Sequence, residues 1–257
     1  MDNKIPENDI KIENGFTKKF ENFWYYHKWK VIIGAFVAFV LAVCIYSCAA
    51  KPKIDITLLY AGPYSSYDSA TPKINESLTA IMPESVGTNG AALNVLEIYS
   101  TEKARELAEK TVDEYIAEEK QNGVFYSPEE REHLISQQVD RYNSINMDNS
   151  TKLGSYLGMG NYSVCLLDPS VYETYRGKEI FVLLSDVFGN DIPASAYSED
   201  AVSLSETWLY KNDPNGVGKL PADTLICLRI EPLFGGCSGD NSASYEKAVE
   251  MFKEMVK

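Results

Sequence analysis

The residues able to do chemistry are few, and none is grouped as catalysis requires. His133 is the only histidine after residue 27. It falls in a segment of helical periodicity with no nucleophile beside it, where an imidazole reads as a surface side chain and not as a general base. Two histidines and five scattered cysteines give no metal-ligand spacing. Gly235–Gly236–Cys237–Ser238–Gly239–Asp240 departs from the G-x-S-x-G nucleophile turn, because Asp240 stands where the last glycine belongs. It reads as a flexible turn, with an anion-cradling loop before the final helix as the alternative. Gly158–Met159–Gly160 lacks a third glycine and precedes a strand, so it is no dinucleotide fingerprint. Carboxylates are abundant, but sequence places no two at the separation a glycosidase needs. No catalytic residue, cofactor or metal ligand is assigned, and the chain is read as non-catalytic.

Binding is better provided for. In open α/β sheets, ligands sit beyond the carboxyl ends of the strands. Strands are expected at 54–60, 92–99, 162–168 and 201–210. The first is followed by Tyr64, Ser65, Ser66 and Tyr67, the second by Ser100 and Thr101, and the third ends at Asp168. Trp208 and Tyr210 close the fourth. Aromatic faces, hydroxyls and a carboxylate suit a sugar or a short peptide. The competing assignment for the tyrosines is packing at the sheet rim.

The elements that must position these residues alternate. Ile54–Tyr60 and Ala92–Tyr99 are β-branched or apolar runs, and a helix near 72–82 lies between them. Ala104, Leu107, Ala108, Thr111, Tyr115 and Ile116 share one helical face, and Gly123 ends that helix. Ser127–Pro128–Glu129–Glu130 opens another: serine caps it, proline fits the first turn, and Glu130 completes a capping box. Residues 101–146 therefore read as a helical hairpin insert, with eleven carboxylates against six basic side chains. Its acidity is read as a solvated face, or as a surface for a protein partner. A short helix near 170–176, a strand at 224–231 and an amphipathic helix at 242–256 complete the pattern. Strands alternating with helices argue for an α/β sandwich with a mostly parallel sheet. Cys165 and Cys227 lie in strand-like runs, where a buried thiol packs as a small hydrophobe; a bridge between them stays open. Asn75, Asn149 and Asn161 head N-x-S/T triplets, which matter for glycosylation only in a eukaryotic secretory pathway.

Before all this stands an apolar run. Val31–Ala50 carries no charge, and as a helix it would span roughly 30 Å, the thickness of a bilayer core. Phe23, Trp24, Tyr25, Tyr26 and Trp29 form an aromatic belt on its entering side. Lys18, Lys19, Lys28 and Lys30 precede it and Lys51 and Lys53 follow, which favours a cytoplasmic N-terminus. A cleaved signal has a shorter apolar core, and a lipidated Cys48 would have bulky Tyr46 where a small residue is usual. The run is read as a single uncleaved span over 23–50, with 1–22 a loosely ordered cytoplasmic tail and 51–257 an extracytoplasmic domain. The chain's net charge is −13, and residues 51–257 hold 18 Lys and Arg against 32 Asp and Glu. That surface repels phosphate backbones, which excludes nucleic acid as a partner.

Gly160–Asn161–Tyr162–Ser163–Val164–Cys165–Leu166–Leu167–Asp168–Pro169 resembles a strand of extracellular solute-binding proteins, the type 2 periplasmic-binding family. Val171–Tyr175 and Glu179–Asp186 resemble the short helix and the following segment of that family. The lead-in Tyr25–Tyr26–His27–Lys28–Trp29 is similar to that of single-span membrane proteins of Gram-positive bacteria. The resemblance implies a reduced periplasmic-binding-like sandwich carrying a helical hairpin, tethered to the cell membrane, that captures or senses a small solute. The alternative is an interaction module docking an envelope complex through the acidic hairpin.

Overall fold

The computed structural model describes residues 15–49, 54–65, 67–160, 162–231 and 241–257. The expected tail up to residue 14, Lys51, Lys53, Ser66, Asn161 and the Gly235–Asp240 turn lie outside the described residues. The chain forms two units, Met1–Pro52 and Lys53–Lys257.

The first unit holds one helix, α1 (Gly15–Ala49, 35 residues). Within it Phe23–Cys44 is long and apolar enough to cross a membrane, and Tyr25, Tyr26 and Trp29 are exposed. Residues 15–22, expected to be loosely ordered tail, continue this helix. Once a helix is nucleated each added residue gains a hydrogen bond, so the apolar run extends its order into the polar lead-in.

The second unit is an α/β sandwich. Its elements are β1 (Ile56–Gly62), α2 (Thr71–Ala80), β2 (Ala91–Glu97), α3 (Thr101–Gln121), α4 (Pro128–Met159), β3 (Val164–Leu167) and α5 (Pro169–Tyr175). There follow α6 (Leu184–Phe188), β4 (Val202–Ser203), α7 (Trp208–Asn212), β5 (Leu225–Leu228) and α8 (Asn241–Met255). The sheet order is β2-β1-β3-β5-β4. β1 pairs parallel with β2 and β3, whereas β5 runs antiparallel to β3 and β4 antiparallel to β5. The sheet is therefore mixed, not mostly parallel. β5 follows β4 after residues 204–224, which carry only the five-residue α7 and single 3-10 turns, and it runs antiparallel to both β3 and β4.

Alternating side chains feed two cores. Leu58, Tyr60, Leu166, Ile226 and Val202 face Ile74 and Leu78 of α2 and Met251 and Phe252 of α8. Leu59, Ala61, Cys165, Leu167 and Cys227 face Leu153 and Leu157 of α4 and Tyr172 of α5. Cys165 and Cys227 sit opposite each other in register and are both free, so the strands are not bridged. Burial holds the Cys165 thiol up at about 12, an inert group. The expected strand over 201–210 shrinks to two residues, because Thr207 accepts from the Tyr210 amide and caps α7.

The hairpin is longer than its expected bounds of 101–146, since α4 runs to Met159. The Ser127–Glu130 capping box is present, with the Ser127 amide donating to Glu130 at 2.7 Å. Ala108, Val112 and Ile135 form a small core between the helices. Arg131 forks onto Asp113 at 2.7 and 2.9 Å, and Arg105 reaches Glu132 at 2.9 Å. The last turns of α4 lie on the sheet, where buried Arg229 donates to the Leu157 carbonyl at 2.6 Å and closes the helix's negative end. The 18 residues of α4 before Asn146, which contacts the Tyr99 backbone, extend about 27 Å past that contact at 1.5 Å per residue. That overhang leaves from the edge where β1 and β2 end, opposite the edge where β1 begins.

The outer edge of β2 is filled by side chains. Thr79 and Asn75 of α2 accept from the Ala91 and Leu93 amides at 2.9 and 2.8 Å. Past the strand, Asn146 of α4 both accepts from the Tyr99 amide and donates to its carbonyl, at 2.8 Å each, and Asn149 donates to the Glu97 carbonyl at 2.9 Å. Two asparagines of the N-x-S/T triplets thus serve the sheet. Asn146→Ala leaves a buried backbone donor and acceptor unmet, and is expected to lower stability by about 1–3 kcal/mol in urea melts.

Candidate functional site

Four chain segments converge where β1 and β3 end. Because β5 is antiparallel to β3, its beginning lies at this same edge. The result is a cleft of about 590 Å³ lined by Tyr64, Ser100, Glu102, Lys103, Asp168, Ser170, Lys219 and Asp223, with Pro63, Pro169 and Pro221 between them. A second hollow of about 300 Å³ adjoins it, shares Ser100 and Ser170, and adds Tyr99, Thr101, Ser150, Thr174 and Tyr175.

Of the residues expected from sequence, Tyr64, Ser100 and Asp168 come together in the cleft. Each also has a structural task. Ser100 caps α3, accepting from the Lys103 amide at 3.2 Å. Asp168 caps α5, accepting from the Ser170 amide at 2.9 Å. Tyr64 is buried, with its hydroxyl 3.2 Å from Thr71 and its ring edge-on to Tyr60 at 5.8 Å. Ser65 donates to Glu97 at 3.0 Å, and Tyr67 is 94% exposed; neither lines the cleft.

Trp208 and Tyr210 do not end a strand. They belong to α7, and they do not line the cleft. Trp208 borders a separate depression with Ala80, Ile81 and Lys257. The Tyr210 hydroxyl donates to the Leu220 carbonyl at 3.1 Å. The cap at Thr207 turns the chain into a helix before it can reach the sheet edge as a strand.

Lys219 and Asp223 are what sequence reasoning missed. In a parallel sheet the residue before β5 would lie at the opposite edge. The antiparallel run brings Asp223 to the ends of β1 and β3. No local pattern marks the reversal: the stretch between β4 and β5, residues 204–224, is long enough for either direction. Lys103 is held by Glu106 at 2.9 Å, but Glu102, Asp168, Lys219 and Asp223 make no ion pair among the described residues.

The core carries a polar irregularity. Tyr60 is fully buried in β1, and its hydroxyl has no hydrogen-bond partner among the described residues; the same holds for buried Thr224. Burial, and then the negative field of Asp168 and Asp223, push the Tyr60 phenol far above its ordinary value, so it stays a proton donor. Gly62 leaves it room: a β-carbon there would lie 2.6 Å from the Tyr60 Oη and 3.1 Å from the Asp168 Cβ. Gly62→Ala is accordingly expected to destabilise by about 1–3 kcal/mol through overpacking. Adding Tyr60→Phe removes the 2.6 Å contact but keeps Cζ at 3.0 Å, so it should restore part of the loss, and a double-mutant cycle in denaturant reads the coupling.

No protein-family model matches the chain, and no curated protein and no solved structure matches it.

Proposed function

We propose that the chain is a membrane-anchored extracytoplasmic binding protein that captures or senses a small polar solute, a sugar or a short peptide, without transforming it. The observation that carries this reading is the edge cleft, a cavity of solute size where Asp168, Asp223 and Lys219 have no ion-pair partner among the described residues. Its position beyond the ends of β1 and β3 is where open sheets receive ligands. The apolar helix Phe23–Cys44, with four lysines before Val31 and two after Ala50, supports a tether that leaves residues 54–257 outside the cell. β3 and the short α5 that follows it support reading the sandwich as a reduced periplasmic-binding-like domain.

A second reading is favoured by one observation, the far end of the hairpin. Phe125 is 75% exposed, and Tyr115 and Val124 are exposed beside it, at the tip of an ion-paired arm. Large apolar side chains presented in this way suit a protein partner, and in this reading the domain docks an envelope complex.

Protease added outside intact cells should digest the domain and spare α1. A thermal-shift screen of the detergent-purified chain against sugars, short peptides, amino acids and anions then separates the readings. A ligand at one hundred times its dissociation constant adds about 2.7 kcal/mol, an easily seen shift. No shift across the screen, together with a co-purifying partner lost in Phe125→Ala, would move the function from the cleft to the arm.

A further inference from the structure

The tip of the hairpin narrows the kind of partner the arm can take. This step rests on the second reading, in which the arm docks a protein. Phe125 stands in the loop between α3 and α4, the most exposed phenylalanine among the described residues, with Val124 and Tyr115 exposed beside it. An aromatic ring left in water forgoes the free energy that its burial would release. The loop that presents it is held in place. The Tyr126 hydroxyl donates to that of Tyr115 at 3.1 Å, their rings lie 5.9 Å apart, and the Ser127–Glu130 capping box fixes the start of α4. Such a knob loses little freedom when it is covered, which is how a buried aromatic anchors an interface.

A bilayer surface, a second copy or another protein could cover it, and charge decides among them. Residues 111–130 hold six carboxylates and one basic side chain, Lys120. Asp113 and Glu114 are paired with Arg131 and Lys110 farther down the arm. Glu118, Glu119, Glu129 and Glu130 make no ion pair among the described residues. The Tyr126 phenol is raised to about 12, first by its bond to Tyr115 and less by the field of Glu119 and Glu130, which puts both carboxylates beside the loop. An anionic bilayer surface repels this rim. A second copy does so too, because residues 51–257 carry 18 Lys and Arg against 32 Asp and Glu. A protein surface with lysine or arginine around an apolar pocket attracts it, and the same charges steer the encounter.

We propose that the arm inserts Phe125 and Val124 into an apolar pocket of a second protein whose rim is basic, with Glu118 and Glu129 set against that rim.

The test places a photo-crosslinking benzoylphenylalanine at Phe125 of the full chain in intact cells, with the same analogue at exposed Tyr67 as the control. On illumination the analogue at 125 should join one protein through a segment carrying lysine or arginine, and the analogue at 67 should not. In membranes from those cells the yield should fall about fivefold between about 0.05 M and about 0.5 M salt, as the screening length shrinks to about 4 Å. Glu118→Gln with Glu129→Gln should lower it by about the same factor at low salt and leave the melting temperature of the purified chain unchanged. A protein adduct whose yield ignores both salt and these substitutions would overturn the basic partner while leaving docking by the arm standing. Adducts with lipid alone, or with a second copy alone, would overturn the choice of partner. No adduct at all would remove the docking reading with it.

Discussion

β1 is hydrogen-bonded along both edges and covered on both faces, and the rest of the domain is arranged to keep it so. Leu58, Leu59, Tyr60 and Ala61 are all fully buried. Two leucines withdrawn from water contribute about 2–3 kcal/mol each, provided helices stand on both sides. That requirement places α2 and α8 on one face and α4 and α5 on the other. It also makes Tyr60 the exception: a phenol carried to the end of the most buried strand, and the one group there whose polarity is left unspent.

The hairpin obeys a different logic. Its second helix is part of the sandwich for its final turns and a free-standing arm before them. Asp113 shows how the arm is held. Its bond to Arg131 lowers its carboxyl pKa below the ordinary range. The ion pair therefore contributes fully above the unfolded value near pH 4 and is lost only as pH falls through the lower folded value. Since the pair is exposed, its role is to fix the relative position of α3 and α4 more than to add stability.

Much of this was legible in the sequence because periodicity and capping are local. Ser127 and Glu130 named the start of α4, and the alternation around Leu58 and Leu93 named two strands. The span was legible from length and composition alone. What stayed hidden was non-local. Strand direction is not written in a local pattern, so the expectation of a mostly parallel sheet did not bring Asp223 and Lys219 to the ends of β1 and β3. Trp208 and Tyr210 were placed at a strand end by their apolar neighbours, while a single threonine cap made them helical. The unmet hydroxyls of Tyr60 and Thr224 exist only once three strands are side by side.

The side-chain bonds along β2 have a consequence for self-association. An open strand edge recruits the same edge of a neighbouring molecule, and fibres start from such pairings. Here the amides of Ala91, Leu93 and Tyr99 are already taken by Asn75, Thr79 and Asn146. With those amides occupied, the β2 edge offers a second copy fewer places to pair, and its asparagines act against polymerisation through that edge.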